Sequence, residues 1–236
     1  MIDSLIEYDK QLLLTLNGSN SLYVDALMTT LTKAQTWIPL YIAIFYLVMK
    51  NNENIRKIIA IVACALACVL LTGTLDDTIV KPLVARWRPT HDPEIGMFVD
   101  IVNGYRGGSY GFFSAHAANT FSIALFFSLL VRNSYFTFSL VVWSLLNCWT
   151  RIYLGVHYPG DIAVGLLWGG IIAVSVYLFY VYVLCRNVDW GVYISTQYTS
   201  TGYVVSDVDV VISVFVYTFI YAQIMACIVC NTNVEL

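Results

Sequence analysis

Three short segments of this 236-residue sequence contain almost all of the side chains that could carry out chemistry on a phosphate group. The segments are KPLVARWRP, with Lys81 and Arg88; SAHAANTF, with Ser114 and His116; and TRIYLGVHYPGD, with Arg151, His157 and Asp161. Together they offer three cations, two imidazoles, a hydroxyl and a carboxylate. These groups are sufficient to bind a phosphate, attack its phosphorus atom and protonate the group that leaves.

The third segment predicts an oriented histidine. Asp161 follows His157 by four residues, and Pro159 between them suits the first turn of a helix. A carboxylate one turn away can accept a hydrogen bond from one imidazole nitrogen, which leaves the other nitrogen free to attack phosphorus. A purely structural histidine–aspartate pair is the alternative for this segment taken alone.

The second segment predicts the start of a helix that could bind an anion. Ser114 suits the N-cap position, and the free N–H groups of a helix N-terminus favour a phosphate. His116 could protonate a leaving group, because histidine titrates near neutral pH. Glycines in the preceding loop, GYRGGSYGFF, would let backbone approach a ligand closely. The alternative is a plain helix cap.

The first segment supplies cations. The planar guanidinium of Arg88 can bind two phosphate oxygens, and Lys81 adds a point charge. The alternative is that both are basic side chains reaching for water at the end of a membrane span. Asp76 and Asp77 shortly before them are expected to pair with nearby arginines in a structural role.

The composition indicates a membrane protein. Hydrophobic residues make up 59% of the chain, charged residues only 11%, and the apolar residues run in long blocks. A net charge of -3 without a basic stripe argues against nucleic-acid binding. The six cysteines lie mostly in apolar runs, so we expect buried apolar side chains and no metal site.

The elements that must position the three segments are helices. We predict one all-α domain over residues 1–236, a polytopic membrane bundle of about six helices. Residues 2–16 form an amphipathic surface helix that ends before Gly18, and residues 22–49 form a surface or slanted helix followed by a short span. The clearer spans are about Ile58–Leu75, Ala117–Leu130, Tyr135–Thr150, Ile162–Leu184 and Val208–Cys230.

The basic residues of the loops predict the orientation. Lys50, Arg56, Lys57, Arg132 and Arg186 flank alternate connections, which the positive-inside rule places in the cytoplasm. The three phosphate-binding segments then face outward. In a bacterium this means the periplasmic side of the inner membrane.

The three segments resemble the signature of the type 2 phosphatidic acid phosphatase family, within the acid phosphatase and vanadium haloperoxidase superfamily. That signature is Lys, six residues, Arg-Pro; then Pro-Ser-Gly-His; then Ser-Arg, five residues, His, three residues, Asp. The first element matches in full from Lys81 to Pro89. Phe113 and Ala115 replace the Pro and Gly of the second element, and Thr150 replaces the Ser of the third.

The resemblance covers about residues 20–185 and implies a role for each matching residue. His157 is the expected nucleophile, forming a phosphohistidine, with Asp161 orienting it and His116 as general acid. The residues expected to bind phosphoryl oxygens are Lys81, Arg88, Ser114 and Arg151. No metal or cofactor is expected, because these cations neutralise the phosphate charge. The resemblance leaves a C-terminal span at about 208–230 unassigned.

The expected function is hydrolysis of a lipid mono- or diphosphate at the outer leaflet, and the expected partners are the lipid substrate and the bilayer. Undecaprenyl diphosphate, lipid A, phosphatidylglycerophosphate and phosphatidate all fit, and the sequence does not indicate the oligomeric state. One alternative is a vanadium haloperoxidase-like enzyme, although those relatives are soluble. The other is a non-catalytic phospholipid-binding protein or carrier, for which ionisable residues deep within the spans are expected.

Overall fold

The described parts of the chain are mostly helical, and a long loop at residues 85–114 precedes the fifth helix. A computed structural model describes residues 2–184 and 196–232. In these ranges the helices are α1 (Ile2–Leu16), α2 (Leu22–Thr32), α3 (Ile38–Lys50), α4 (Ile55–Val84), α5 (Ala115–Val131), α6 (Ser134–Tyr153), α7 (Pro159–Leu184) and α8 (Val205–Thr232). The second half of α4 is largely π-helical. This architecture confirms the predicted all-α class.

Three helices in the described parts of the chain, α4, α7 and α8, are long and apolar enough to cross a membrane. The helix α2 and the segment Ala34–Lys50 meet at a bend of 69° and together would form a fourth span. Helix α5 is apolar but shorter, with 17 residues. The protein is therefore an integral membrane protein, as the composition predicted.

The bend between α2 and α3 is closed by side chains and covered by α8. The indole of Trp37 donates a hydrogen bond to the Leu31 carbonyl at 2.8 Å. This carbonyl lies at the end of α2, where the bend interrupts the helical hydrogen bonds, so the indole supplies the donor. The Trp37 ring stacks on Phe215 of α8, with 6.1 Å between ring centres. At the end of α3, Lys50 forms a 2.8 Å ion pair with Asp207. The C-terminal helix is thus part of the bundle.

Helices α5 and α7 pack closely because α7 presents glycines to α5. A β carbon at Gly165 would lie 2.7 Å from the Ser114 carbonyl oxygen, and one at Gly169 would lie 2.5 Å from the Ala118 carbonyl oxygen. Small residues spaced four apart permit such close approach between membrane helices. This contact fixes the start of α5 relative to the start of α7.

Helix α1 is amphipathic and packs over the end of the bundle where α7 begins. Leu13 is fully buried in a cluster with Ile95, Val99 and Tyr158, whereas Leu5 on the same helix is exposed. The helix ends as predicted: Gly18 adopts a left-handed φ of +66° and donates a hydrogen bond to the Tyr153 carbonyl at 3.0 Å. The α1 helix is therefore held next to the end of α6.

The three functional segments and the basic loops lie at opposite ends of the helix bundle. The end of α4, the start of α5 and the connection from α6 to α7 lie at one end of the bundle. Lys50, Arg56, Lys57 and Arg132 lie at the opposite end, where α3, α4 and α5 end or begin. Arg186, the fifth basic residue used to predict orientation, lies outside the described residues.

Candidate active site

The three predicted segments come together at one end of the bundle. The charges of Arg88, Arg151 and Lys81 all act on His157, which lies in the connection between α6 and α7. The same three cations, together with His157, act on His116 at the start of α5. Direct contacts join the three segments: Arg88 lies 3.3 Å from His157, and the Ser114 N–H donates to the Asp161 carbonyl at 3.1 Å.

Arg88 contacts His157 directly. Its Nη1 atom lies 3.3 Å from Nε2 of His157. The same guanidinium donates hydrogen bonds to the carbonyl oxygens of Tyr110 at 3.0 Å and Val156 at 3.4 Å. Because a guanidinium only donates hydrogen bonds, Nε2 must be the acceptor. The His157 proton then lies on Nδ1, the nitrogen that faces Asp161.

His157 is held in its neutral form. Its side chain is 2% exposed. Burial lowers the pKa of His157 well below its ordinary value, and Arg88, Arg151 and Lys81 add to this effect. The unprotonated Nε2 of the neutral imidazole carries the lone pair that accepts from Arg88, and this lone pair would become a nucleophile once Arg88 donates to a phosphate oxygen instead.

Asp161 faces His157 but makes its closest contacts with other groups. Its Oδ2 atom lies 3.6 Å from Nδ1 of His157 and accepts a 3.0 Å hydrogen bond from the Tyr158 backbone N–H. Its Oδ1 atom forms a 2.7 Å ion pair with Arg86. Among the described residues, Nδ1 of His157 has no hydrogen-bond partner. Asp161 therefore lies beside the expected nitrogen, and its orienting role stays a prediction.

Ser114 is the N-cap of α5, as predicted. Its hydroxyl accepts a hydrogen bond from the Ala117 N–H at 3.4 Å. Its own backbone N–H donates to the Asp161 carbonyl at 3.1 Å, which links the second segment to the third. His116 follows in the first turn and is only half-buried.

Arg151 is buried beneath the site and held by two residues from distant parts of the chain. Its side chain donates to the Thr32 hydroxyl at 2.7 Å and to the Tyr105 hydroxyl at 3.1 Å. The guanidinium also lies 5.5 Å from the centre of the Tyr105 ring. Its Nε atom is buried without a hydrogen-bond partner among the residues that the structure describes. Arg151 therefore has an unused donor.

Lys81 forms ion pairs with Asp76 at 2.7 Å and with Asp77. The prediction that these acids pair with arginines is therefore wrong. In this π-helical part of α4 the Lys81 N–H donates to the Asp76 carbonyl five residues earlier, so Asp76 and Lys81 share one helix face. Asp76 also accepts a 3.2 Å hydrogen bond from the Phe113 N–H. This contact ties α4 to the residue before Ser114.

A cleft of about 390 Å³ opens beside Lys81 and Arg88, and the loop residues Ser109 and Tyr110 form its other wall. Two of the loop glycines make room for Arg88. A β carbon at Gly107 would lie 2.9 Å from its Nη1 atom, and one at Gly111 would lie 3.1 Å from its Cγ atom. These glycines thus let the backbone approach Arg88, whereas the sequence had suggested an approach to a ligand.

Four residues that hold the predicted site were not predicted to do so: Asp9, Thr32, Arg86 and Tyr105. Arg86 carried a sequence signal, because it stands two residues before Arg88 in a chain with only 12 basic residues. Asp9 and Thr32 belong to segments far from the signature, and Tyr105 lies in the loop between its first two elements; the residue types of all three are common at protein surfaces. The sequence contains no pattern that distinguishes them.

The comparison with known families agrees with this geometry. The model of the PAP2 superfamily matches residues 57–185, which is more than half of the chain and includes all three segments. The chain belongs to the PAP2 superfamily. This confirms the resemblance to type 2 phosphatidic acid phosphatases that the signature residues indicated.

The chain is also similar to named bacterial phosphatases. It is 41% identical over 172 residues to a lipid A 4'-phosphatase of Bacteroides thetaiotaomicron, covering 72% of this chain and 76% of the relative. It is 37% identical over 187 residues to a lipid A 4'-phosphatase of Porphyromonas gingivalis, covering 78% of each chain. A decaprenylphosphoryl-5-phosphoribose phosphatase of Mycobacterium tuberculosis is 37% identical over 98 residues, covering 42% of this chain and 50% of the relative.

No solved structure matches the chain. The family and these relatives confirm the predicted class of enzyme, a membrane lipid phosphatase.

Proposed function

We propose that this enzyme removes the 4'-phosphate of lipid A, without a metal ion, through a phosphohistidine formed on His157. The observation that carries the mechanism is the contact between Arg88 and Nε2 of His157, 3.3 Å apart, with Asp161 on the other side of the ring. Because Arg88 is a cation beside the attacking nitrogen, it can bind the oxygens of a phosphoryl group that lies against Nε2. The name of the substrate comes from the two lipid A 4'-phosphatases to which the chain is similar.

In the first step, Nε2 of His157 attacks phosphorus and the bond from phosphorus to the ester oxygen breaks. His116 donates a proton to the departing oxygen, so the lipid leaves as a neutral alcohol. Burial and, after it, the nearby cations lower the pKa of His116 to about 3. The negative charge of a bound phosphate would offset the cations and so favour the protonated imidazole that a general acid requires. The positive charge that develops on the His157 ring is stabilised by Asp161 across Nδ1–H.

In the second step, water attacks the phosphohistidine. His116, now neutral, accepts a proton from this water as the phosphorus–nitrogen bond breaks. Inorganic phosphate leaves, and His157 returns to its neutral form. The buried environment that lowers the pKa of His157 also favours this return.

Three cations and one hydroxyl would bind the phosphoryl oxygens. Arg88 already lies against His157, and the buried Nε–H of Arg151 is a hydrogen-bond donor without a partner among the described residues. Lys81 borders the cleft, and Ser114 is the N-cap of α5. Donors fixed in a site with little water stabilise the transition state strongly, by about 2.7–4 kcal/mol for each well-placed donor. This charge neutralisation replaces the one that a metal ion supplies in other phosphoryl-transfer enzymes.

An apolar groove supports a lipid as substrate. A cavity of about 480 Å³ between α3, α4, α5 and α6 is lined almost entirely by apolar side chains. Asn119 and Thr120, one turn beyond His116, form its end on α5. A hydrocarbon chain could therefore lie along this groove while the phosphate reaches His157.

The basic loops support an outward-facing site. Lys50, Arg56 and Arg132 lie at the end of the bundle opposite His157, which places that end in the cytoplasm by the positive-inside rule. We propose that the site faces the periplasm from the inner membrane. A membrane-impermeant thiol reagent should then label a Ser109→Cys variant in cells whose outer membrane has been made permeable. Labelling only after the inner membrane is broken would contradict this orientation.

The decisive experiment measures phosphate release by purified protein in detergent with EDTA. Its panel contains lipid A, undecaprenyl diphosphate, phosphatidylglycerophosphate and phosphatidate. We expect release from lipid A, and we expect His157→Gln to reduce it by at least about 10³-fold. The matched control is His91→Gln, since His91 contacts Thr90 in the loop and has no role in the mechanism. Lipid A labelled in its 4'-phosphate should leave an acid-labile label on His157.

Each other result has a distinct meaning. Preferred release from a different lipid would reject the substrate but keep the mechanism. Tight binding of lipid phosphates without release would indicate a carrier, and vanadate-dependent halide oxidation would indicate a haloperoxidase. Full activity in His157→Gln would exclude the phosphohistidine.

A further inference from the structure

Arg86 bridges two carboxylates, one in the candidate site and one in the N-terminal helix. Its Nη1 atom lies 2.7 Å from Oδ1 of Asp161, and its Nη2 atom lies 2.7 Å from Oδ2 of Asp9. Asp9 belongs to α1, outside the range matched by the family model. The mechanism proposed above gives Arg86 no task.

The position of Arg86 is fixed by further contacts. Its guanidinium carbon lies 4.1 Å from the centre of the Tyr158 ring, a cation–π contact. Its backbone carbonyl accepts a 2.9 Å hydrogen bond from the Gly111 N–H. The second oxygen of Asp9 accepts a 2.8 Å hydrogen bond from the Gly160 N–H in the first turn of α7. Arg86 is therefore held by α1, by the loop and by α7.

Asp161 needs this cation. Its side chain is fully buried, and an isolated buried carboxylate is strongly disfavoured. Neutral His157 cannot serve as its counterion, and the two side chains lie 3.6 Å apart. Arg86 occupies Oδ1, which leaves Oδ2 for the Tyr158 N–H and for Nδ1 of His157. The bridge thus sets which oxygen faces the histidine.

We infer that Arg86 is a positioning residue for the phosphatase reaction and that α1, through Asp9, holds it in place. Arg86 keeps Asp161 ionised and turned so that Oδ2 faces Nδ1 of His157. Without it, Asp161 would take up a proton or rotate, and the imidazole would lose its orientation during attack. This inference rests on the proposed function, because it assigns Arg86 a role only if Asp161 orients a nucleophilic His157.

The test measures kcat and KM for phosphate release by Arg86→Gln, Arg86→Lys and Asp9→Asn. Arg86→Gln should lower kcat by about 10²-fold, as misplacement of a catalytic group does, with little change in KM. Arg86→Lys should recover part of this loss, since lysine keeps the charge but not the fork that reaches both acids. Asp9→Asn should lower kcat less, in the same direction. The control is Arg106→Gln, because Arg106 lies on the exposed side of the same loop.

The pH profile separates positioning from a general loss of stability. The charged or titratable groups that face Asp161 are Arg86, Arg88 and His157, with Asp9 and Tyr158 beyond Arg86. Removal of the Arg86 charge should move the acid limb of kcat to higher pH, because Asp161 then protonates more easily. A purely structural role would lower the thermal midpoint and leave the shape of the profile unchanged.

The outcomes distinguish this inference from the proposed function. If the wild-type enzyme releases phosphate and His157→Gln does not, the proposed function holds whatever Arg86 does. The inference is then overturned if Arg86→Gln keeps its kcat, changes only KM, or shows an unshifted pH profile. If Arg86→Gln does not fold, Asp9→Asn decides: a lowered kcat supports the inference, and an unchanged kcat overturns it.

Discussion

The close packing of α5 against α7 gives a sharp prediction for Gly169→Ala. The added methyl carbon would lie 2.5 Å from the Ala118 carbonyl oxygen, 0.9 Å short of the 3.4 Å at which ordinary contact begins. It would also lie 3.1 Å from the Ala118 Cα atom. These are backbone atoms, so no side-chain rotation relieves the overlap. The two helices must move apart.

The matched control is Gly170→Ala, one residue further along α7. A methyl carbon there would make ordinary contacts with two side chains, Phe121 at 3.4 Å and Leu125 at 4.0 Å. Both variants gain about 0.8–1.0 kcal/mol of helix propensity from the same chemical change. Only Gly169→Ala incurs the overlap, which costs about 1–3 kcal/mol in packed protein interiors. The difference in the free energy of unfolding between the two variants therefore measures the cost of the overlap between α5 and α7.

The displacement should also affect activity. Asp161 lies at the start of α7, and the Ser114 N–H donates to its carbonyl across the same helix pair. A misplacement of about 1 Å in a catalytic constellation can lower the rate about 10²-fold. We therefore expect Gly169→Ala to lose most of its kcat while Gly170→Ala stays close to the wild-type enzyme.

Two measurements check this prediction, the thermal midpoint in detergent and phosphate release from lipid A. The difference in midpoint between the variants should be several degrees, since about 2–4 °C corresponds to 1 kcal/mol in a chain of this size. Equal midpoints and equal rates for the two variants would refute the role given to the α5–α7 contact.

Three further predictions concern the site. Because burial and the nearby Arg88 lower the pKa of His157 in the folded protein, the unfolded chain binds a proton on it more tightly. The free energy of unfolding should thus decrease as the pH falls below about 6.5, and denaturation of His157→Gln across this range should show a shallower decrease. Tyr105→Phe removes a hydrogen bond to Arg151 and should lower kcat/KM by about 2- to 12-fold; Tyr135→Phe, on an exposed side chain, should change nothing measurable. Phosphate release should be the same with EDTA as without it, and restoration by added Mg²⁺ of activity lost in EDTA would contradict the metal-free mechanism.

Much of the site could be predicted because its residues lie at the ends of apolar runs. The run that becomes α4 ends near Lys81, and α5 and α7 begin near Ser114 and His157. Helices that alternate in direction across a membrane bring every second connection to the same side. The order of the runs was therefore enough to predict that the three segments lie on the same side of the membrane.

The contacts that hold these residues could not be predicted, because they join distant positions through common residue types. Arg86 and Asp9 are 77 residues apart, and Arg151 and Thr32 are 119 apart. Any of several acids or hydroxyls in the chain could have supplied these partners. Local backbone geometry also decides which residues form ion pairs. The π-helical turn brings Asp76 next to Lys81, whereas the sequence had suggested an arginine as the partner of Asp76.

Helix α8 means that the folding unit of this enzyme is longer than the part that its family shares. The family match ends at residue 185, yet α8 covers Trp37 with Phe215 and supplies the carboxylate that pairs with Lys50. A truncation made at the family boundary would expose the Trp37 surface to annular lipid and leave that lysine without its counterion. Shortened or chimaeric forms of this phosphatase therefore need to keep a helix that contains none of the signature residues.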